Sequence, residues 1–155
     1  MTATHQLVLK SRDQNELFKI AFMNVLKQGE KSFDEVSNTC QYSIDGKHCA
    51  VGWCLTPESL EAAKADCEGQ RIACIVAVDL LEVSDTLLAF LSALQEAHDR
   101  TPMSTDRFFR SVFVKRMREV AEAFNLMQTF CECAEAAIAQ GYIEKTYAYG
   151  DQAND

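Results

Sequence analysis

The sequence predicts a mainly α protein, a single domain of about five or six helices with one small β-hairpin. Three observations lead to this fold class. The chain has 155 residues, which is the usual length of one domain. Apolar residues recur at helical spacing in most segments, between residues that commonly cap helices. The pair Asp45-Gly46 is the one strong hairpin signal. We expect the domain to span residues 1–149 and the polar tail 150–155 to fray.

The first helix has clear signals at both ends. Asp13 is an N-cap residue, and Glu16, three positions later, is its capping-box partner. Lys27 and Gly29 are typical of a helix C-terminus. Between these ends the apolar positions form one helical stripe, made of Leu17, Phe18, Ala21, Phe22, Val25 and Leu26.

The segment CQYSIDGKHCAVG contains the predicted hairpin, at residues 40–51. Counting outward from its two turn residues pairs Tyr42 with Cys49 and Cys40 with Val51. These four side chains would then share one face. The two cysteines would be diagonal neighbours, whose β-carbons are too far apart for a disulfide. We expect this hairpin to be the only sheet.

The middle of the chain predicts two further helices. Thr56-Pro57-Glu58 combines a capping residue, a proline at the first helical position and an acidic first turn, so a helix should cover residues 57–67. Glu68-Gly69 should end it. Residues 72–78 are rich in β-branched side chains yet also fit helical spacing, which leaves helix and strand open, with helix favoured.

Two or three helices follow toward the C-terminus. Ser84 should cap a helix that runs through His98 and is closed by Thr101-Pro102. Residues 104–139 have helical periodicity throughout. Asn125 is a plausible left-handed terminator, and Thr129 with Glu132 forms a second capping box, so this stretch should be two helices.

Charge and hydropathy exclude several classes of protein. The net charge is −8 and the pI is about 4.9, which disfavours direct binding to nucleic acid, because neutralising phosphates requires clustered lysine and arginine. A basic protein surface is the better partner, although the same charge could serve solubility alone.

The sequence has no apolar run long enough to span a membrane, and its start lacks the apolar core of a signal peptide. We therefore expect a cytoplasmic protein without membrane contact.

The seven cysteines are expected to be reduced thiols without metal. Their odd number and the predicted compartment disfavour a disulfide framework. Only Cys49 and Cys54 have the spacing of a structural zinc pair. Cys131 and Cys133 are two positions apart on a predicted helix, which turns their side chains toward opposite sides. We predict no cofactor.

His98 lies on the apolar stripe of its helix with Leu87, Leu91 and Leu94, so it should be at least partly buried. A histidine in this position is most often a core residue near a helix C-terminus that hydrogen-bonds to a backbone carbonyl and is favoured by the helix dipole when charged. The alternative is a base or ligand that faces the cysteine hairpin, with Asp99 beside it. We favour the structural interpretation.

Several short motifs recur here in the order known from another group of proteins. They are Cys40-x-Tyr42, Asp45-Gly46, Cys49-Ala50-Val51-Gly52, Pro57, Glu68-Gly69 and Leu94-Gln95-x-x-His98-Asp99. In the order and spacing of these motifs, residues 17–126 resemble a group of small uncharacterised proteins from bacteriophages and bacteria. The resemblance implies no reaction. It implies that one set of side chains converges where the hairpin packs on the helix of His98, namely Cys40, Tyr42, Cys49, Gln95, His98 and Asp99.

Small size, acidity and this resemblance favour a noncatalytic protein of phage or mobile-element type. It would bind a host protein in the host cytoplasm, for example a defence protein with a basic nucleic-acid-binding surface. The first alternative is an enzyme that uses cysteine, histidine and aspartate in an unknown reaction. The second is a zinc-stabilised module with Cys40, Cys49 and His98 as ligands and a fourth ligand from Cys54 or Asp99.

Overall fold

A computed structural model describes residues 6–66, 72–77, 80–102 and 106–149. Within these ranges six helices have six or more residues and two have five, so the mainly α class is confirmed. The helices are α1 (Gln14–Gln28), α2 (Ala50–Cys54), α3 (Pro57–Asp66), α4 (Ile72–Ala77), α5 (Asp85–Asp99), α6 (Asp106–Ala123), α7 (Met127–Ala139) and α8 (Lys145–Tyr149). The strands are β1 (Phe33–Asp34), β2 (Thr39–Cys40), β3 (Ser43–Ile44) and β4 (Lys47–His48).

The predicted N-caps form, but the capping box at the start of α1 does not, because the Asp13 amide donates to the Ser11 hydroxyl and Glu16 pairs with Lys19. The Asp13 carboxylate accepts a hydrogen bond from the Asn15 amide at the start of α1, and Gly29 ends that helix at φ 74°. Ser84 caps α5 through the Leu87 amide, 3.1 Å away. Asn125 has φ 59° and separates α6 from α7. The predicted stop at residues 68–69 and the tail 150–155 lie outside the described residues, and residues 72–77 are helical.

The predicted hairpin is correct at its turn and wrong in its length. Strands β3 and β4 pair only from Ser43 to His48, across a turn in which Asp45 and Gly46 both have positive φ. Tyr42 and Cys49 retain one backbone hydrogen bond of 3.2 Å. The predicted pairing of Cys40 with Val51 does not form, because the chain becomes helical at Ala50.

Cys40 instead belongs to a second hairpin that the sequence does not predict. It pairs with Phe33, and Thr39 pairs with Asp34, so the expectation of a single sheet is wrong. The turn between these strands is closed by side chains, because the Asp34 carboxylate accepts hydrogen bonds from the Val36 amide and the Ser37 hydroxyl. Such Asx-type turns replace the glycine that a hairpin search looks for.

The predicted capping box at Thr129 and Glu132 is also wrong. Helix α7 begins at Met127, two residues earlier, and Leu126 at its N-cap position makes no side-chain cap. The Thr129 hydroxyl hydrogen-bonds to the side chain of Asn15 and so joins α7 to α1. A tertiary contact thus uses the hydroxyl that local capping would need.

The core lies between the long helices. α1 packs on α2 and α7, while α5 packs on α6, α4 and α2. Phenylalanines fill the centre, with Phe22 in edge-to-face contact with Phe130 and Phe90 with Phe124. No helix in the described ranges is long and apolar enough to cross a membrane. The last turn of α5 contacts the base of the β1–β2 hairpin, where His98 accepts the Ser32 amide and lies near Cys40.

Candidate functional site

Three chemically active side chains meet at the C-terminal end of α5. The Cys40 thiol, a ring nitrogen of His98 and a carboxylate oxygen of Asp99 all lie within 4.8 Å of one another. His98 is fully buried, whereas Cys40 and Asp99 are partly exposed. Helix α5 supplies the histidine and the aspartate, and strand β2 supplies the thiol.

The two ring nitrogens of His98 have different partners, which fixes their roles. The backbone amide of Ser32 donates to Nε2 over 3.1 Å. Because an amide N–H can only donate, Nε2 must be the unprotonated nitrogen. The proton of the neutral ring then lies on Nδ1, which donates to the Asp99 carboxylate 2.9 Å away. Both nitrogens are therefore satisfied inside the protein, although by a backbone amide and a carboxylate rather than by the backbone carbonyl that the sequence predicts.

Lys31 adds a positive charge to this cluster. Its ammonium donates to the Asp99 backbone carbonyl over 2.5 Å and lies 5.7 Å from the centre of the Phe33 ring. The charges of Lys31 and Asp99 act on Cys40 in opposite directions. Burial raises the pKa of the Cys40 thiol to about 12, and the negative charge of Asp99 adds to this effect. The thiol is therefore protonated at neutral pH.

This arrangement suits neither a cysteine nucleophile nor a metal ligand. A nucleophilic thiol needs a neighbouring base with a free lone pair, and the lone pair of His98 is used by Ser32. Binding of a metal to Nδ1 would place a protonated Nε2 against the Ser32 amide, so two donors would face each other. Cys40, His98 and Asp99 therefore form a hydrogen-bonded cluster around Asp99 in which the ring nitrogens of His98 already have partners.

Tyr42 and Gln95 form a second contact one turn earlier on α5. The Gln95 amide donates to the Tyr42 hydroxyl over 3.3 Å, and its carbonyl accepts from the Ile72 amide over 2.9 Å. Tyr42 is buried. Gln95 therefore joins α5 to the first residue of α4 and to the segment before β3.

Cys49 has a local structural role. Its thiol accepts the Gly52 amide over 3.2 Å and so caps α2. Burial raises the pKa of this thiol far above its usual range. The structure thus brings Cys40 to His98 and Asp99, and Tyr42 to Gln95. Cys49 lies at the start of α2, a helix that the sequence does not predict.

Three contributors to the site were missed. Ser32 contributes its backbone amide, which donates to His98. Lys31 contributes its ammonium, which donates to the backbone carbonyl of Asp99. No pattern of residue types in the sequence indicates contacts to backbone atoms. Gly52 permits close packing, since a β-carbon there would lie 2.3 Å from the Tyr42 carbonyl oxygen. Gly52 belongs to the Cys-Ala-Val-Gly motif. A glycine at a motif position can indicate close backbone packing, and this was the one sequence feature that could have revealed a missed contributor.

A shallow cleft of about 530 Å³ adjoins the network along α5. Ser92, Gln95, Glu96, Asp99 and Arg100 supply its polar wall. Glu96 and Arg100 pair with each other at 2.8 Å, and Gln95 is already bonded. Most polar side chains of the described cleft wall therefore already have partners, and few remain to hydrogen-bond a small ligand.

Comparison with known proteins gives no relative. No protein-family model, curated protein or solved structure matches the chain. The resemblance to phage proteins stays a prediction, and the function has to be argued from the residues.

Proposed function

We propose that the protein is a noncatalytic binding protein whose acidic face engages a basic surface of a host protein. The observation that carries the proposal is the distribution of charge. Between Pro57 and Asp85 the sequence contains seven acidic and two basic residues. Most of the net charge of −8 therefore resides in a short part of the chain.

The carboxylates of the acidic face, which we define as Glu58, Glu61, Glu82 and Asp85, are exposed. Among the described residues none of the four takes part in an ion pair. Lys64 on α3 offsets part of their charge. Exposed and unpaired carboxylates leave a negative field that accelerates encounter with a basic partner.

The acidic face draws on two segments that are neighbours in the fold. The Leu7 amide donates to the Leu80 carbonyl over 2.6 Å, and the next amide, that of Val8, donates to the Ser59 hydroxyl over 2.7 Å. The start of α3 and the segment before α5 therefore flank the same extended stretch of chain. Their carboxylates can act on one partner together.

The sequence resemblance adds the biological setting to this proposal. The protein is of phage or mobile-element type and acts in the host cytoplasm. Its partner is a host defence protein whose nucleic-acid-binding surface is rich in lysine and arginine. An acidic face competes for such a surface with the phosphate backbone. The catalytic alternative lacks comparable support, since His98 has no free lone pair and Cys40 is not a thiolate.

The test is capture of the partner with matched charge variants. Immobilised wild-type protein is exposed to a bacterial lysate beside a variant with Glu58→Gln, Glu61→Gln and Glu82→Gln. The control carries Glu119→Gln, Glu122→Gln and Glu132→Gln, which removes the same charge from α6 and α7. We expect one host protein to be retained by the wild type and the control and lost from the acidic-face variant. Retention by all three proteins, or by none, would contradict the proposal.

A further inference from the structure

Two neighbouring rings, those of His48 and Trp53, each carry a buried nitrogen atom without a hydrogen-bond partner among the described residues. The atoms are Nδ1 of His48 and Nε1 of Trp53. An indole N–H can only donate, whereas a ring nitrogen of histidine can donate or accept. Buried polar atoms nearly always have a partner, so two exceptions on rings whose centres are 4.3 Å apart point to a bound group that supplies acceptor atoms.

Several parts of the fold meet at these two rings. His48 lies on β4 and Trp53 on α2, and a β-carbon at Gly52 would lie only 3.3 Å from the β-carbon of His48. The segment before α1 is joined to the end of α2, because the Lys10 amide donates to the Cys54 carbonyl over 2.8 Å. The Lys10 ammonium lies 5.9 Å from the centre of the Trp53 ring.

The charges that act on His48 are mainly positive. Burial is the largest cause that lowers the pKa of its ring, and the charges of Lys10 and Lys64 lower the pKa further. The backbone of Lys47 and the charge of Glu61 act in the opposite direction. Two lysines and one glutamate therefore give a net positive charge beside the rings, in a chain whose net charge is −8.

The two lysines are available to a ligand. Lys10 and Lys64 are exposed. Neither takes part in an ion pair in the part of the chain that the structure describes. A lysine side chain is a flexible stem with a charged end, so both ammonium groups can turn toward a bound anion without a change of backbone.

We propose that His48, Trp53, Lys10 and Lys64 form a binding site for a phosphate group. The indole N–H and the two ammonium groups are hydrogen-bond donors, and a protonated His48 ring adds another. A phosphate has more acceptor oxygens than a carboxylate and carries close to two negative charges at neutral pH, which matches two unpaired lysines. This site goes beyond the proposed function, because it binds a small anion, whereas the acidic face binds a basic protein.

Trp53 is the single tryptophan of the chain, so its fluorescence and its one indole N–H resonance both report on this site. Inorganic phosphate is titrated into the whole protein at neutral pH, and sodium chloride of equal ionic strength is the control. We expect phosphate to change the fluorescence in a saturable way and to shift the indole resonance downfield, because the N–H gains an acceptor. Chloride should do neither.

Charge variants identify the residues that hold the phosphate. Lys10→Gln and Lys64→Gln should each weaken phosphate binding by about two- to fivefold. Lys115→Gln, which removes an exposed lysine from α6, is the matched control and should bind phosphate like the wild type. Glu61→Gln removes the opposing negative charge and should strengthen phosphate binding.

Two further ligands define the chemical class, and acetate is the first. Binding of acetate as tight as that of phosphate would overturn the assignment to phosphate. Binding of AMP as tight as that of phosphate would identify a phosphate monoester as the ligand, and binding of inorganic phosphate alone would identify the free ion, so either result supports the site. An indole resonance that phosphate does not move, or equal phosphate binding by the wild type, Lys10→Gln and Lys64→Gln, would overturn the inference.

Discussion

The backbone amide of Ser32 donates a hydrogen bond to Nε2 of His98, 66 positions away along the chain. Both residues are fully buried. This single contact fixes the tautomer of the histidine, directs its other nitrogen to Asp99 and holds the base of the β1–β2 hairpin. A site that looks like a cysteine–histidine–aspartate centre in sequence is thereby a structural connection between a hairpin and a helix.

Replacement of His98 tests this structural role. His98→Leu leaves the buried Ser32 amide without an acceptor and should lower the free energy of unfolding by about 1 to 3 kcal/mol. His98→Gln retains a side-chain oxygen that can accept a hydrogen bond and should cost less. Both effects can be measured by urea denaturation. Glu96→Gln, which removes only the exposed ion pair with Arg100 on the same helix, is the control and should change the free energy of unfolding by less than about 0.5 kcal/mol. Equal stability of the wild type and His98→Leu would mean that the contact contributes nothing to folding.

Zinc should not stabilise the protein. The lone pair of His98 is occupied, so Cys40 and Asp99 remain as two ligands, fewer than a structural zinc site requires. We expect an equimolar addition of Zn²⁺ to leave the melting temperature unchanged and elemental analysis to find no stoichiometric metal. A rise in melting temperature that is lost in Cys40→Ser would show that the ion displaces the Ser32 amide.

The helices were predictable because their signals are local. Asp13, Ser84 and Asn125 each act through atoms within a few residues of their own position, and their caps form as the sequence predicts. The hairpin at Asp45 was predictable at its turn for the same reason. Its length was not, because the cap that Cys49 supplies to α2 competes with continued pairing.

The candidate site was predictable only in part. Spacing on the helix stripe correctly indicated that His98 is buried. The role of the histidine depends on the amide of Ser32, and every residue except proline has such an amide, so no side-chain pattern could reveal it. The β1–β2 hairpin was missed because side chains rather than glycine close its turn.

The buried thiols predict a loss of stability at alkaline pH. Burial raises the pKa of Cys54 and of Cys133 to about 12 from an ordinary value of 9.0. Between these values the unfolded chain releases thiol protons that the folded chain retains, so stability is full below pH 9 and falls as pH rises toward 12. The slope is at most about 1.4 kcal/mol per pH unit for each thiol.

Chemical denaturation at a series of pH values measures this slope. Cys54→Ala should be less stable at pH 7, since it leaves a cavity, yet should lose stability less steeply above pH 9, because one titrating group is gone. The exposed change Lys115→Gln is a control for general charge effects. If stability falls as steeply above pH 9 in Cys54→Ala as in the wild type, the raised pKa of the buried Cys54 thiol is not the cause of the fall.

The rings of His48 and Trp53 are in edge-to-face contact, with their centres 4.3 Å apart. Burial lowers the pKa of His48, and the positive charge of Lys10 acts in the same direction. Because the folded state favours the neutral ring, stability is present above pH 6.5 and decreases as pH falls below it. Trp53 is the single tryptophan of the chain, so its fluorescence, which a charged imidazole quenches, reports the protonation of His48. We expect a quenching step with a midpoint below pH 6.5. Lys10→Gln should move this midpoint upward and His48→Gln should abolish it. A step that persists in His48→Gln would assign the titration to another group.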